Sequence, residues 1–237
     1  MINKRSKNGI VLSDARKIVS CILKGVVVVS ATVGVILSAM ASSGTFMGGR
    51  RVFMYFTIQS NIAIGLICLI GGLLMAAGRK PGNGWYVVKF MGTVSITLTG
   101  AVYCFVLAPT LGGYAWIAQN TLTHVVAPLA AIVDFFVTGV CGDLKKSSVF
   151  YGTLPPLAYA VYAGIGYAAG WEFSPGHNYP YFFLNWGSPA GAFGFTRQLP
   201  FMGCGWWLIG LLILIYLVGL AYMTVLNNMK KRALRRR

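Results

Sequence analysis

Two short polar clusters carry most of the chemistry open to this chain. The first is Thr57-Ile58-Gln59-Ser60-Asn61 and the second is Asn120-Thr121-Leu122-Thr123-His124. Thr57 and Asn61 are four residues apart, as are Asn120 and His124, so on helices each pair shares a face one turn apart. Ser60 lies beside the first pair, whereas Gln59 projects about 200° around from Thr57. A hydroxyl activated by an adjacent base is the minimum for nucleophilic catalysis. Imidazole, with an unperturbed pKa of about 6.5, suits the base. Thr57 and His124 would supply these two groups. Asn61, Ser60 or Asn120 would supply a donor for the oxyanion, and spacing does not choose among them. The alternative is purely structural. A membrane threonine commonly bonds back to its own i−4 carbonyl, and polar clusters join helices by hydrogen bonds.

These groups stand out because the rest of the chain is apolar. Of 237 residues, 57% are hydrophobic and 10% are charged. About 25% charged is usual in soluble proteins. So little charge cannot coat a soluble domain or solvate a disordered chain. Lys and Arg number 20 against four Asp and Glu, for a net charge of +16. The basic residues gather at the ends and in connections rather than on one folded face, which argues against nucleic acid as a partner. The composition is that of a multi-pass membrane protein.

A helix crosses a bilayer with about 20 mostly apolar residues. Six stretches qualify: 25–41, 52–77, 90–109, 116–140, 149–170 and 201–226. None alternates as a membrane β-strand does. An all-α bundle of six spans is expected, forming a single domain over 1–237 with basic tails 1–24 and 227–237. The first span is short, and the stem of Lys24 is expected to snorkel and lengthen it. Ala39-Met40-Ala41 after a basic start resembles a signal-peptide site, but the apolar run exceeds the usual ~7–15 residues. A retained helix is expected.

Lys and Arg set the orientation. One side carries Lys4, Arg5, Lys7, Arg16, Lys17, Lys24, Arg79, Lys80, Lys89, Lys145, Lys146 and the basic tail from Lys230 to Arg237. The other carries Arg50, Arg51 and Arg197. Both termini are therefore expected in the cytoplasm, with the tails attracting anionic lipid headgroups. Thr57 then lies about 8 Å below the start of its span and His124 about 12 Å below the start of its own. Both spans run inward, so a hydroxyl and an imidazole sit at one depth. Asp134 is about 15 Å deeper than His124, out of reach as a third triad member, and Lys89 or Lys145 is its expected partner. Thr93, Ser95, Thr97 and Thr99 read mostly as packing hydroxyls, and His177 as a surface residue.

The one long connection, 171–200, lies outside. It holds Trp171, Phe173, Tyr179, Tyr181, Phe182, Phe183, Trp186, Phe193 and Phe195, while Pro175, Pro180, Pro189 and Pro200 argue against a long helix. It reads either as an aromatic belt or as a lid over an outward cavity. Five cysteines lie in or beside the spans with no C-x-x-C pattern, so no disulfide framework is inferred. There is no phosphate-binding Gly-rich loop and no G-x-S-x-G elbow. Two histidines and four acids make three well-spaced zinc ligands hard to assemble. No metal or cofactor is expected.

Gly48-Gly49-Arg50-Arg51 leads into Tyr55-Phe56-Thr57-Ile58-Gln59-Ser60-Asn61. His124, Pro128, Asp134 and Tyr179-Pro180-Tyr181-Phe182-Phe183-Leu184 follow. In this order the residues resemble the androgen-induced/androgen-dependent family of integral membrane hydrolases, over about residues 20–226, and most closely its bacterial six-helix branch. The resemblance implies a plasma-membrane hydrolase of lipid esters of the type fatty acid ester of hydroxy fatty acid. Its intramembrane Thr nucleophile would be Thr57 and its His would be His124, with Tyr179 and Pro180 near the substrate. Animal members carry an acidic residue shortly after the Thr, where this chain reads Gln59-Ser60-Asn61. The bacterial Tyr-Pro-Tyr-Pro-Phe-Leu-Asp pattern reads Phe182 and Asn185 at its variable places. The alternative from the residues alone is a polar pocket that binds or transports a lipid or small molecule without chemistry. The sequence does not specify an oligomeric state.

Overall fold

A computed structural model describes residues 12–42 and 47–235. Lys4, Arg5, Lys7, Arg236 and Arg237 lie outside them. The described residues form an all-helical bundle of long helices without β-strands. We number them α1 (Asp14–Met40), α2 (Phe56–Ala76), α3 (Asn83–Tyr114), α4 (Ala118–Gly139), α5 (Ser148–Ala168) and α6 (Cys204–Arg235). All but α5 are long and apolar enough to cross a membrane. α5 has 21 residues, but Tyr, Gly and the internal pair Pro155-Pro156 dilute its apolar character.

α1, α3 and α6 are longer than their apolar runs, and the differences have physical causes. α1 starts at Asp14 rather than at residue 25, because the Ser13 side chain accepts from the Arg16 N–H and caps the first turn. Lys24 does not snorkel: its ammonium is buried inside the bundle against Asp134. Lys89 is buried likewise, so α3 begins at Asn83 instead of residue 90. Residues 49–54, partly counted within the second span, form a separate 3-10 turn before α2. α6 starts at Cys204 and runs through its basic end to Arg235, so most of the expected tail is helix.

α1 packs on α2 and α4. α3 is central and touches α2, α4, α5 and α6, while α5 packs on α6. The buried positions of α1 (Ser20, Lys24, Val27, Ser30, Ala31, Gly34, Ser38) follow a spacing of three to four residues, with Ser30 beside Ala31, and make one inward stripe. Gly34 lets α1 close on α4, since a Cβ there would lie 2.5 Å from the Thr123 methyl. Large apolar side chains such as Val29, Leu66, Phe105, Ile165 and Leu217 are exposed on the outer faces. Such a surface suits lipid rather than water.

The segment from Trp171 to Gly203 is irregular apart from a short turn at Phe182–Leu184. It folds back over one end of the bundle. The Tyr55 hydroxyl donates to the Phe173 carbonyl at 3.1 Å, Arg51 pairs with Glu172, and Tyr181 stacks on Phe183 with centroids 5.0 Å apart. Phe183 in turn packs on Trp207 at the start of α6.

Candidate active site

Thr57 is the second residue of α2, where backbone N–H groups lack intrahelical acceptors. Among the described residues no side chain caps this end. The Thr57 N–H instead donates to the Tyr181 phenol oxygen at 3.3 Å. The Thr57 hydroxyl lies 3.3 Å from His124 Nε2 and 3.4 Å from the same phenol oxygen. All three side chains are buried. The fold thus brings the two sequence-marked residues into contact and adds Tyr181 as a third.

His124 occupies a π turn, Leu122–Val126, inside α4. α3 has a matching π turn at Tyr103–Leu107. Such turns recur at functional sites. A proline follows each by two residues, Pro128 and Pro109, and removes the N–H that would bond four residues back. For Pro128 the carbonyl left without this bond is that of His124. α3 approaches it through Gly100, where a Cβ would lie 2.9 Å from the oxygen. Tyr103 stacks flat on the imidazole, with centroids 3.7 Å apart and planes at 20°, and its hydroxyl donates to the Ala115 carbonyl.

The other ring nitrogen fixes the tautomer. His124 Nδ1 is 2.9 Å from the Asn120 carbonyl, which only accepts. The Thr123 hydroxyl donates to the Gln119 carbonyl and lies 3.0 Å from Nδ1, placed to accept from it too. Nδ1 therefore holds the proton, and the Nε2 lone pair faces the Thr57 hydroxyl. The Asn120 carbonyl thus fixes the orientation of the imidazole, as a carboxylate does in a serine triad.

The expected oxyanion donors are otherwise engaged. Asn61 Nδ2 donates to the carbonyls of Thr57 (2.8 Å) and Thr123 (3.0 Å), which clamps α2 to α4. Its Oδ1 has no partner among the described residues. Ser60 donates to the Thr57 carbonyl at 3.0 Å and lies 2.7 Å from the Thr99 hydroxyl. The Asn120 side chain turns away, to the Tyr114 carbonyl. Pro180 is buried and Tyr179 half-buried. Neither touches Thr57, and both line a second cavity near the bundle end. Tyr181 outranks its two neighbours for this role, and only the Tyr-Pro-Tyr run in the sequence hinted at it. Burial raises the Tyr181 phenol above its ordinary pKa and hydrogen bonds at Thr57 oppose this, so the hydroxyl stays protonated at neutral pH.

Thr57 also forms part of the wall of an apolar cavity of about 140 Å³. Phe56, Leu98, Val102, Ala160, Leu208 and Phe183 surround it, and its polar rim is limited to the hydroxyls of Thr57, Thr99, Tyr159 and Tyr181. Leu157 of α5, 44% exposed, and the half-buried Leu212 of α6 carry the wall out to the lipid-facing surface between these helices.

Asp134 lies apart from this site. One carboxylate oxygen accepts from Lys24 at 2.7 Å and Ser20 at 2.5 Å, the other from Lys89 at 2.5 Å. Lys145, the other expected partner, is exposed. The α3 hydroxyls of Thr93 and Thr97 bond to carbonyls four residues back, as packing groups do. His177 is exposed. No protein-family model, curated protein or solved structure matches the chain.

Proposed function

We propose that this chain is a six-span membrane hydrolase of lipid esters, with both termini in the cytoplasm. The observation that carries the reading is the Thr57–His124 contact at the wall of an apolar cavity, with the acceptor nitrogen of the imidazole aimed at the hydroxyl. The motif resemblance to androgen-induced hydrolases points the same way. α5 serves as the sixth span: 21 residues rise about 30 Å, a bilayer core. Its exposed Phe150, Leu154, Leu157, Val161 and Ile165 form a stripe for lipid. The bias of Lys and Arg supports the orientation, and a bacterial plasma membrane is the proposed location.

In this mechanism an acyl chain enters between α5 and α6 and lies in the cavity. Thr57 Oγ attacks the ester carbonyl while its proton passes to His124 Nε2. The carbonyl oxygen becomes an oxyanion beside the Tyr181 hydroxyl. Collapse breaks the ester C–O bond, and the departing alkoxide takes the proton from Nε2. Water then attacks the Thr57 ester and gives its proton to His124. Thr57 leaves, recovers that proton, and the fatty acid departs. The sum is ester plus water to acid plus alcohol. Tyr103 and the Asn120 carbonyl hold the imidazole in place.

The test is fatty acid release from lipid esters in detergent micelles by pure protein. Wild type should release acid and Thr57→Ala should not. A second reading, lipid binding without chemistry, is favoured by one observation: Asn61, Ser60 and Asn120 are all engaged in holding the helices. Co-purified lipid that stays intact, with release no different in Thr57→Ala, would establish it.

A further inference from the structure

The apolar cavity has a neighbour of different chemistry. A second cavity, of about 360 Å³, lies between the far end of α3 and the 171–203 segment. Tyr181 and Leu107 line both cavities, so these two side chains form the partition. The Tyr181 hydroxyl on that partition is the group beside Thr57. An ester carbonyl held at Thr57 therefore has an apolar space on one side of Tyr181 and the second cavity on the other.

The second cavity offers hydrogen-bonding side chains on a wall that Leu107, Leu111, Pro175, Pro180 and Phe182 keep largely apolar. Its wall includes Thr110, Ser174, His177 and Tyr179. His177 Nδ1 is 3.0 Å from the Pro175 carbonyl and so carries the proton, which leaves Nε2 as an acceptor. The Thr110 hydroxyl donates to the Leu107 carbonyl at 2.7 Å and has lone pairs to spare. Tyr179 both donates and accepts. Among the described residues, no Lys, Arg, Asp or Glu lines the space. Glu172, within this segment, and Arg51, which precedes α2, are spent on each other, and Glu172 also accepts from the Gly176 N–H. The wall thus offers a phosphate or carboxylate no countercharge. The apolar side, at about 140 Å³, is close to a cavity that holds benzene, so it encloses about six carbons and the rest of a chain leaves by Leu157.

We infer that the substrate is the ester of a fatty acid with an uncharged polyol, of monoacylglycerol type, with its acyl chain in the apolar cavity and its polyol in the second. The inference rests on the hydrolase reading above. Once the alcohol has left, the same side brings in the water that frees the acyl group from Thr57.

The test compares 1-octanoylglycerol with decyl octanoate, which share the acyl group, in identical mixed micelles. Wild type should favour the glycerol ester at least about tenfold in kcat/KM, because a site built for hydroxyls rejects an alcohol without them. His177→Leu should raise KM for the glycerol ester and bring the preference toward unity. Thr110→Val is the substitute if His177→Leu does not fold. Equal turnover of both esters, a preference for the decyl ester, or a preference that survives in folded His177→Leu or Thr110→Val would overturn this inference and leave hydrolysis standing. Absence of Thr57-dependent release from either ester would overturn both.

Discussion

α4 carries two buried polar regions about 15 Å apart, and they are built in opposite ways. Around Asp134 the groups are charged, every carboxylate oxygen is taken, and Lys89 also reaches the Thr138 hydroxyl at 2.5 Å and the Asp134 carbonyl at 3.2 Å. That region joins α1, α3 and α4 and borders neither cavity. Around His124 the groups are neutral, the hydroxyl contacts are longer, and a cavity lies alongside. The first region spends its polarity on holding three helices together. The second keeps a lone pair, a hydroxyl and a phenol aimed at one point. Buried polarity inside a membrane bundle therefore has two uses, and saturation of the hydrogen bonds distinguishes them.

Substitutions should separate the two. The largest effect is expected at Thr57. Thr57→Ala should cut ester hydrolysis by about 10⁴-fold or more, equivalent to about 5 kcal/mol at the barrier, with stability changed by only about 1 kcal/mol. Steady-state rates and thermal melting in detergent check this together. Next is Asp134→Ala, which leaves two buried ammoniums unpaired and should cost about 3–5 kcal/mol of stability. Lys24→Met should cost much less, because Lys89 still pairs with the carboxylate. If the two melted alike, the region would not act as a staple. Third is Tyr181→Phe, expected to lower kcat by about 10²–10³-fold without loss of stability, as removal of one oxyanion donor does.

The smallest expected effect is on the alkaline side. Because burial holds the Tyr181 phenol above its ordinary range, the O–H persists as pH rises, and hydrolysis should show no fall from phenol ionisation up to about pH 10. A pH–rate profile checks this, and a wild-type limb near pH 9 that Tyr181→Phe abolishes would contradict it.

The apolar runs marked each helix because lipid-facing surface must be apolar. They misplaced the ends wherever a lysine turned inward: Lys24 read as a snorkelling charge and Lys89, although expected beside Asp134, fell outside its apolar run, and the packing of α1, α3 and α4 brings both to the carboxylate. Thr57 and His124 were legible as polar outliers at matching depths. Their contact needed helix neighbours that no spacing encodes. Asn61, Ser60 and Asn120 were on the right turns, but their hydrogens go to nearby backbone carbonyls, a competition that spacing cannot reveal. Tyr181 and Tyr103 stayed hidden for another reason. One is among many aromatics of an irregular segment, and the other looked like ordinary span residue until the π turn aimed it at the imidazole.

The central claim is that His124 activates Thr57 as a nucleophile. It is tested most directly by treating pure protein with a long-chain alkyl fluorophosphonate and mapping the adduct by peptide mass spectrometry. The account predicts a phosphonyl group on Thr57 in wild type, none anywhere in Thr57→Ala, and labelling slowed at least about a hundredfold in folded His124→Ala. An adduct on Tyr181 instead, or labelling of Thr57 as fast without His124 as with it, would contradict the claim.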